Sequence, residues 1–308
     1  MEVRQLHIFR VLAEELNFTR TAERVHTVQS NVTTQIKSLE QELGTPLFDR
    51  LAKRVVLTEA GRSFLPYAEK ALAAMDEGER AVRYGHEAAG PLRIGAPESV
   101  LTYRLPRILG RFRQRHPHVN LIFRPHWDES LTTTLESGQL DMAIRMVDVI
   151  EADSLHSVRL RTERVFYVAH PAHPLSGLAQ VHPRHLAGQV LLLTEAGCAY
   201  RKKLDQVLAA QDIRPENIVE FTSVEAIKQC VIAGMGLGLL PEIVVRGELD
   251  SGQMKALSWA GPSVDIATHV IWHKDKWMSP SMTAFLNLLQ EDLKEDETTA
   301  PMRATATC

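Results

Sequence analysis

Apolar residues recur at helical spacing from the start of the chain through Leu43 and divide into three short segments. One stripe marks a first helix, and it comprises Leu6, Phe9, Leu12, Ala13 and Leu16. Thr19 is a favourable N-cap for a second helix, which the pattern predicts to run to about Val25. Three short helices with tight connections are therefore expected in this part of the chain.

The third helix has two faces of opposite character. Its apolar face, on a wheel of 3.6 residues per turn, comprises Val32, Ile36, Leu39 and Leu43. Its polar face comprises Ser30, Asn31, Thr34, Lys37 and Ser38. Short donors and acceptors with one cation suit base edges and phosphates in a DNA major groove; an ordinary solvated face is the alternative. Gly44 and Pro46 predict the end of this helix.

A small β-wing is predicted after the third helix, because residues 53–57 form a short β-prone run. Three cations lie on or beside it: Arg50, Lys53 and Arg54. We expect them to flank the third helix and to contact phosphates, which position a protein on DNA without reading its sequence.

A long amphipathic helix is predicted over residues 59–84, with Thr58 as its N-cap. Its stripe, apolar at all positions but one, comprises Phe64, Ala68, Leu72, Met75, Glu79 and Val82. The small N-terminal segment offers little surface for so long a helix, which favours contact with the same helix of a second copy. Packing on its own domain is the alternative. Gly85, Gly90 and Pro91 then predict a hinge.

From residue 92 onward, short apolar runs alternate with helical segments. The runs typical of buried parallel strands are 92–95, 119–123, 141–144, 190–193 and 237–240. Helical spacing lies at 105–115, 130–137, 202–210 and 224–234. This alternation predicts an α/β doubly wound domain of two lobes, with crossings near 165–168 and 268–270. A last helix is predicted over 282–293, and residues 296–308 are predicted to be a disordered tail.

Four blocks of the N-terminal sequence together carry a family resemblance. They are Leu6-x-x-Phe9, residues 17–23, residues 29–50 and Leu57-Thr58-x-Ala60-Gly61. These blocks closely resemble the LysR-type transcriptional regulators. The resemblance implies an α/β chain with an N-terminal all-α winged helix-turn-helix, a dimerising linker helix and a two-lobed periplasmic-binding-protein-like effector domain. It also implies an inducer-responsive regulator, usually a homotetramer, that often controls a nearby, divergently transcribed gene.

On this basis we assign residues 1–58 to the winged helix-turn-helix, 59–90 to the linker helix and hinge, and 91–295 to the effector domain. Lobe I would comprise about 91–164 and 268–295, and lobe II about 165–267. The expected DNA contacts are Thr19, Gln29, Ser30, Asn31, Thr33, Thr34, Lys37, Arg50, Lys53 and Arg54. The expected partners are double-stranded DNA, a small-molecule effector, RNA polymerase and further copies of this chain.

The effector is expected in a cleft between the two lobes. In open α/β sheets a ligand binds beyond the carboxyl ends of the strands, and a cleft adds the burial that a small molecule needs. The family resemblance points to the same loops. The residues selected are Ser99, Thr102, Trp127, Arg145, Cys198, Tyr200 and Ser223. The alternative is that Ser99 and Ser223 only cap helices and that Tyr200 packs a lobe.

A thiol-based redox response is an alternative to a small-molecule effector, because a redox-sensing branch of the family uses a cysteine near the position of Cys198. The neighbouring Arg201, Lys202 and Lys203 would favour a reactive thiolate. The spacing to Cys230 departs from that of the peroxide-sensing members, whose two cysteines lie much closer in sequence. A buried or pocket-lining thiol is therefore the preferred interpretation.

Other classes of function find less support. Histidines 170, 173, 182 and 185 are paired at a spacing seen in metal sites, but neighbouring prolines indicate extended loops, and we expect neither metal nor cofactor. The chain lacks a phosphate-binding loop, a Gly-x-Ser-x-Gly elbow and a His-Glu-x-x-His motif. We therefore expect that the protein is not an enzyme. A pure small-molecule-binding protein would account for residues 92–295 and leave the N-terminal region unexplained.

Composition and charge bound these interpretations. With 308 residues, 44% of them hydrophobic, the chain can form two or more domains. The net charge is −3, and residues 1–60 hold as many acidic as basic side chains. DNA binding therefore rests on the placement of cations at the helix-turn-helix and wing. The start is unlike a signal peptide, apolar runs are short and the three cysteines are scattered, so we expect a cytoplasmic protein without a membrane partner.

Overall fold

The structure, a computed structural model, describes residues 1–51, 54–125 and 130–299. The contacts of these described residues define two compact units, residues 1–86 with 132–141 and residues 87–131 with 142–299.

The N-terminal part of the first unit is a winged helix-turn-helix followed by one long helix. Its helices are α1 (Val3–Glu15), α2 (Phe18–Arg24), α3 (Gln29–Leu43) and α4 (Glu59–Tyr84). Between α3 and α4, strands β1 (Phe48–Leu51) and β2 (Arg54–Leu57) pair antiparallel as the wing. Gly44 has a φ of +71° and ends α3, and the Thr58 hydroxyl accepts a hydrogen bond from the Gly61 amide at 2.9 Å. The predicted helices, wing and Thr58 cap are confirmed.

Aromatic rings from three elements meet in the core of this unit. The Phe9 ring lies 5.5 Å from the Phe48 ring and 5.3 Å from the Phe64 ring, centroid to centroid. Ala68 and Leu72 of α4 are buried in the same core. The first half of α4 therefore packs on its own domain. The expectation that the N-terminal domain has little surface for α4 is wrong for this half of the helix.

Helix ends depart from the sequence prediction at three positions. Leu16 and Leu43 are exposed, because each lies at a helix terminus where the apolar stripe has turned away from the core. The N-cap of α2 is Asn17, not Thr19: the Asn17 side chain accepts hydrogen bonds from the Thr19 and Arg20 amides at 2.9 and 3.1 Å. Phe18 is buried at the first helical position, which starts α2 earlier than predicted.

The second unit contains two five-stranded sheets, which we call lobe I and lobe II. Lobe I contains β3 (Gly90–Ala96), β4 (Val119–Pro125), β5 (Met142–Met146), β6 (Leu155–Glu163) and β12 (Ile266–His273), in the order β4-β3-β5-β12-β6. Lobe II contains β7 (Val165–Ala169), β8 (Val190–Thr194), β9 (Asn217–Phe221), β10 (Leu237–Pro241) and β11 (Lys255–Ala256), in the order β11-β7-β10-β8-β9. The α-helices of this unit are α5 (Leu105–Arg115), α7 (Ala199–Ala210), α8 (Val224–Ile232), α9 (Glu242–Asp250) and α10 (Pro280–Thr299). Most of α6 (Ser130–Glu136) belongs to the first unit.

Each lobe has a parallel centre and an antiparallel strand where the chain crosses between lobes. Strand β3 pairs parallel with β4 and β5, and β8 pairs parallel with β9 and β10. Strand β7 pairs antiparallel with β10, and β12 pairs antiparallel with β5 and β6. The α/β fold class and the predicted central strands are confirmed. Parallel pairing places the carboxyl ends of β3 and β5 side by side in lobe I, and those of β8 and β9 side by side in lobe II.

Some elements of the second unit were not predicted. Strands β6, β9 and β11 and helix α9 went unrecognised, because β6 and β9 carry many exposed polar residues and β11 is only two residues long. Helix α10 continues to Thr299, past the end predicted at residue 293, and so includes residues 296–299 of the predicted tail. The rest of the predicted tail, 300–308, lies outside the described residues.

Candidate DNA-binding surface and ligand pocket

Helix α3 exposes the polar face that the sequence predicts for it. Its apolar residues Val32, Ile36 and Leu39 are fully buried. Of the DNA-contact candidates, the exposed ones are Thr19, Gln29, Ser30, Thr34, Lys37 and Arg54, and the half-buried ones are Asn31 and Thr33. The Arg50 side chain and Lys53 lie outside what the structure describes.

Hydrogen bonds orient several of these side chains. Thr19 Oγ1 donates to Gln29 Oε1 at 3.2 Å and so joins α2 to the start of α3. Asn31 Nδ2 donates to Thr27 Oγ1 at 2.9 Å, and Thr34 Oγ1 donates to the Ser30 carbonyl at 3.0 Å. Each hydroxyl keeps acceptor capacity, so the start of α3 presents a largely oriented row of polar groups to a ligand.

Two cations near this face are paired within the protein. Arg20 lies 2.8 Å from a Glu15 carboxylate oxygen, and Arg24 lies 2.6 Å from Glu14 and 2.9 Å from Glu15. These ion pairs join α1 to α2. Among the described residues, the exposed Lys37 makes no ion pair and remains free to meet a phosphate.

A cavity of about 100 Å³ lies between the two lobes. It opens at the carboxyl ends of β3, β5, β8 and β9, where a doubly wound fold places ligands. Its lining includes Pro97, Glu98, Ser99, Arg145, Met146, Val147, Thr194, Glu195, Gly197, Cys198, Ala199, Tyr200, Phe221, Thr222 and Val224. We call this cavity the interlobe pocket.

Four of the seven effector-contact candidates meet in the interlobe pocket: Ser99, Arg145, Cys198 and Tyr200. Thr102 is exposed and does not line it. Ser223 caps α8 beside the pocket, its hydroxyl accepting a hydrogen bond from the Ala226 amide at 3.4 Å. Trp127 lies outside the described residues.

The polar groups of the pocket are set in largely apolar surroundings. Ser99 is only 4% exposed, and its hydroxyl donates to the Met146 sulfur at 3.6 Å, a weak acceptor. Burial, and then the neighbouring Cys198, raise the pKa of Tyr200 well above its ordinary value, so the phenol remains protonated and able to donate. Within the described part of the chain, the Arg145 guanidinium makes no ion pair and can receive an anionic group.

Polar contacts join the lobes beside the pocket, and one of them is made by Glu98. The Glu98 carboxylate, after β3, accepts hydrogen bonds from Ser223 Oγ and from the Val224 amide, each at 2.8 Å. The sequence points to the loop that contains Glu98, but only Ser99 and Thr102 were selected from it as effector contacts, and the bonds of Glu98 to lobe II were not predicted.

The second contact between the lobes centres on Tyr103. Its hydroxyl donates to a Glu225 carboxylate oxygen and accepts from Lys228 Nζ at 3.0 Å. Lys228 is buried and also pairs with Glu225 at 2.9 Å and with Glu248 at 2.8 Å. The hydrogen bond from Tyr103, with others from Gln229 and Lys228, lowers the pKa of Glu225 to about 2.

Cys198, Cys230 and the histidines of the two predicted pairs are accounted for by local structure. Cys198 lines the pocket at the N-cap of α7, whereas Cys230 is half-buried on α8 among the core residues of lobe II. The ring nitrogens of His170, His173 and His185 accept backbone hydrogen bonds at turns. Within the part of the chain that the structure describes, no three metal-binding side chains cluster, and no helix has the length and apolarity that crossing a membrane requires.

This architecture, a winged helix-turn-helix with a long helix and a two-lobed α/β unit around a pocket, defines a ligand-responsive DNA-binding regulator. Two family models match the chain: "Bacterial regulatory helix-turn-helix protein, lysR family" over residues 3–62, and "LysR substrate binding domain" over residues 85–294. The chain therefore belongs to the LysR family of transcriptional regulators, whose members pair a DNA-binding domain with an effector-binding domain.

Individual relatives agree with this assignment. The chain is 45% identical to the uncharacterized HTH-type transcriptional regulator YwqM of Bacillus subtilis, over 96% of this chain and all of that one. It is 32% identical to the regulator CzcR of Bacillus anthracis, over 94% of this chain and 98% of the relative. Full-length OxyR from Pseudomonas aeruginosa superimposes with a TM-score of 0.72 at 25% identity, covering 96% and 95% of the two chains. CbnR in complex with its target DNA shares the fold, with a TM-score of 0.67 at 21% identity, covering 95% of this chain and 100% of CbnR.

Proposed function

We propose that a small molecule bound in the interlobe pocket controls how this regulator binds its operator. The observation that carries the proposal is the pocket itself, to which both lobes contribute polar groups at the ends of parallel strands. A ligand that prefers one closure state of the lobes shifts their equilibrium, and linkage transmits that preference to DNA binding. The regulator would act as a homodimer or homotetramer and would alter access of RNA polymerase to the promoter.

The pocket favours a small organic anion as the effector. Arg145 supplies a cation, and Ser99 and Tyr200 supply hydroxyl donors. The lining also holds two carboxylates, Glu195 and Glu98, of which Glu98 is already bonded to Ser223 and Val224. Most of the remaining lining is apolar. A cavity of about 150 Å³ holds a benzene molecule, so this cavity suits a compact carboxylate with a short apolar body. A thermal-shift screen of the full-length chain against small organic acids tests this proposal, and a panel without any stabilising acid would contradict it.

Operator recognition is proposed for the exposed face of α3. Thr34→Ala should weaken binding to a specific operator by about tenfold or more, because a lost base contact costs about 1–3 kcal/mol. Binding to random DNA should stay unchanged. Lys37→Ala should weaken binding to both DNAs and lower the salt slope by about one unit, because it removes one phosphate contact.

Electrophoretic shift with DNA from upstream of the gene, at several salt concentrations, measures both effects. Lys202→Ala is the matched control, since Lys202 is an equally exposed cation on lobe II. The regulator proposal is refuted if the wild-type chain gives no specific shift at moderate salt. Equal losses on specific and random DNA for Thr34→Ala would contradict a base contact.

An oxidant is a second candidate effector, because Cys198 lies in the pocket wall beside Tyr200. The screen therefore includes hydrogen peroxide, applied to the wild type and to Cys198→Ser. A peroxide-dependent change in operator binding that Cys198→Ser abolishes would support this candidate, and an unchanged response would exclude it.

A further inference from the structure

A carboxylate of the protein itself occupies one wall of the interlobe pocket. Glu98 extends from the end of β3 in lobe I to the first turn of α8 in lobe II, where Ser223 Oγ and the Val224 amide donate to it at 2.8 Å. The first amides of a helix lack intrahelical acceptors, and the helix dipole favours an anion there. Glu98 therefore fills a position where an external carboxylate would also be favoured.

The pocket lining offers further groups for an anion. Arg145 forms no ion pair among the described residues, and Ser99, which is almost fully buried, gives its hydroxyl proton only to the Met146 sulfur there. A buried hydroxyl ordinarily has an oxygen or nitrogen partner. In the pocket, Arg145 and Ser99 are therefore available to an anion, whereas the start of α8 is already bound by Glu98.

We propose that Glu98 is an internal ligand of the effector site, which a carboxylate-bearing effector displaces from Ser223 and Val224. This inference rests on the proposed function. Two carboxylates cannot share the start of α8, because like charges at contact distance repel strongly. Effector binding then breaks the contact between Glu98 and lobe II, so the negative charge of the effector changes how the lobes are joined. A neutral ligand would leave this contact in place.

Chemical rescue tests the proposal without knowledge of the effector. Glu98→Ala in the full-length chain vacates the start of α8, while the Tyr103–Lys228 contact still joins the lobes. The variant should melt a few degrees below the wild type. Acetate or propionate at about 50 mM should then raise its melting temperature saturably by about 2–4 °C, relative to chloride at equal ionic strength. The wild type should need at least about tenfold more carboxylate for the same rise, since its own side chain competes.

Two further variants define the interpretation. Glu98→Gln keeps the side-chain volume without the charge and should show little rescue. Glu220→Ala removes an exposed carboxylate from β9 of lobe II and should behave like the wild type. The proposal is overturned if Glu98→Ala shows no saturable rescue, or if the wild type or Glu220→Ala is stabilised equally. The operator shift assay does not depend on the rescue experiment. A failure of specific DNA binding would refute the proposed function, and the carboxylate rescue of Glu98→Ala could still be interpreted.

Discussion

His269 on β12 is a buried imidazole in an unusually cationic position. It is 8% exposed and lies opposite Arg145 on β5 and Arg159 on β6. Within the described residues, neither ring nitrogen has a hydrogen-bond partner. Burial, and then the charge of Arg159, lower the pKa of His269 below 6.5, while Asp148 opposes them. The neutral ring is therefore the form that the folded state accommodates.

We expect this residue to destabilise the protein as the pH falls. Because the pKa is lower in the folded state, the unfolded state binds more protons below pH 6.5, and stability is lost as the pH falls through the folded pKa. His269→Gln should reduce this loss, measured as the melting temperature between pH 7.5 and 5. His118→Gln, at an exposed histidine, should retain the wild-type profile. Identical profiles for His269→Gln and the wild type would contradict the assignment.

At the scale of elements, the short α2 depends on the cap that Asn17 provides. The Asn17 side chain satisfies two of the amides that a helix start leaves open, whereas Thr19 Oγ1 bonds a neighbouring side chain at 3.2 Å. Asn17→Ala should cost about 1 kcal/mol and speed amide exchange in α2 by about fivefold. Hydrogen exchange of residues 18–24 measures this difference. Thr19→Ala is the control, and equal acceleration in the two variants would show that Asn17 has no special role.

Elements with a buried face were predictable from the sequence. Strand β8 is a continuous apolar run, and Gly44 and Thr58 mark helix ends by conformational and capping preferences that act locally. Strand β6 was not predicted, because it lies at the edge of its sheet and exposes many polar residues to solvent. Asn17 was not predicted as the N-cap of α2, because Asn17 and Thr19 are both good capping residues and lie close together in sequence. The burial of Phe18 decides between them.

The site was predictable to the level of loops. The carboxyl ends of parallel strands converge by topology, so Ser99, Arg145, Cys198 and Tyr200 could be brought together from spacing. Which side chain crosses from one lobe to the other depends on how the lobes close, and local sequence does not encode that. The partners of Glu98 are more than a hundred positions away in sequence, and only the fold reveals them.

At the scale of the whole molecule, an exposed face of α4 indicates how copies of the chain assemble. Its members fall within about 100° of the helix circumference: Tyr67, Ala71, Ala74, Met75, Gly78 and Val82. Met75 is 51% and Val82 89% exposed. Small residues between the larger ones permit close approach of a second helix, and an exposed apolar stripe of this length is typical of an interface.

Replacing the distal residues of this face should separate the copies. Met75→Lys with Val82→Lys places two charges on the stripe, which we expect to convert the dimer to monomers in sedimentation equilibrium. Folding of the winged domain should persist, because both side chains are already exposed in the single chain.

A monomer engages one half-site, so operator affinity should fall by about 100-fold through the loss of bivalent binding. Asp76→Lys, which adds an exposed lysine to a different face of the same helix, should leave both the dimer and operator affinity intact. A double variant that remains dimeric would place the interface elsewhere, and a monomer with unchanged operator affinity would show that bivalent contact contributes nothing to DNA binding.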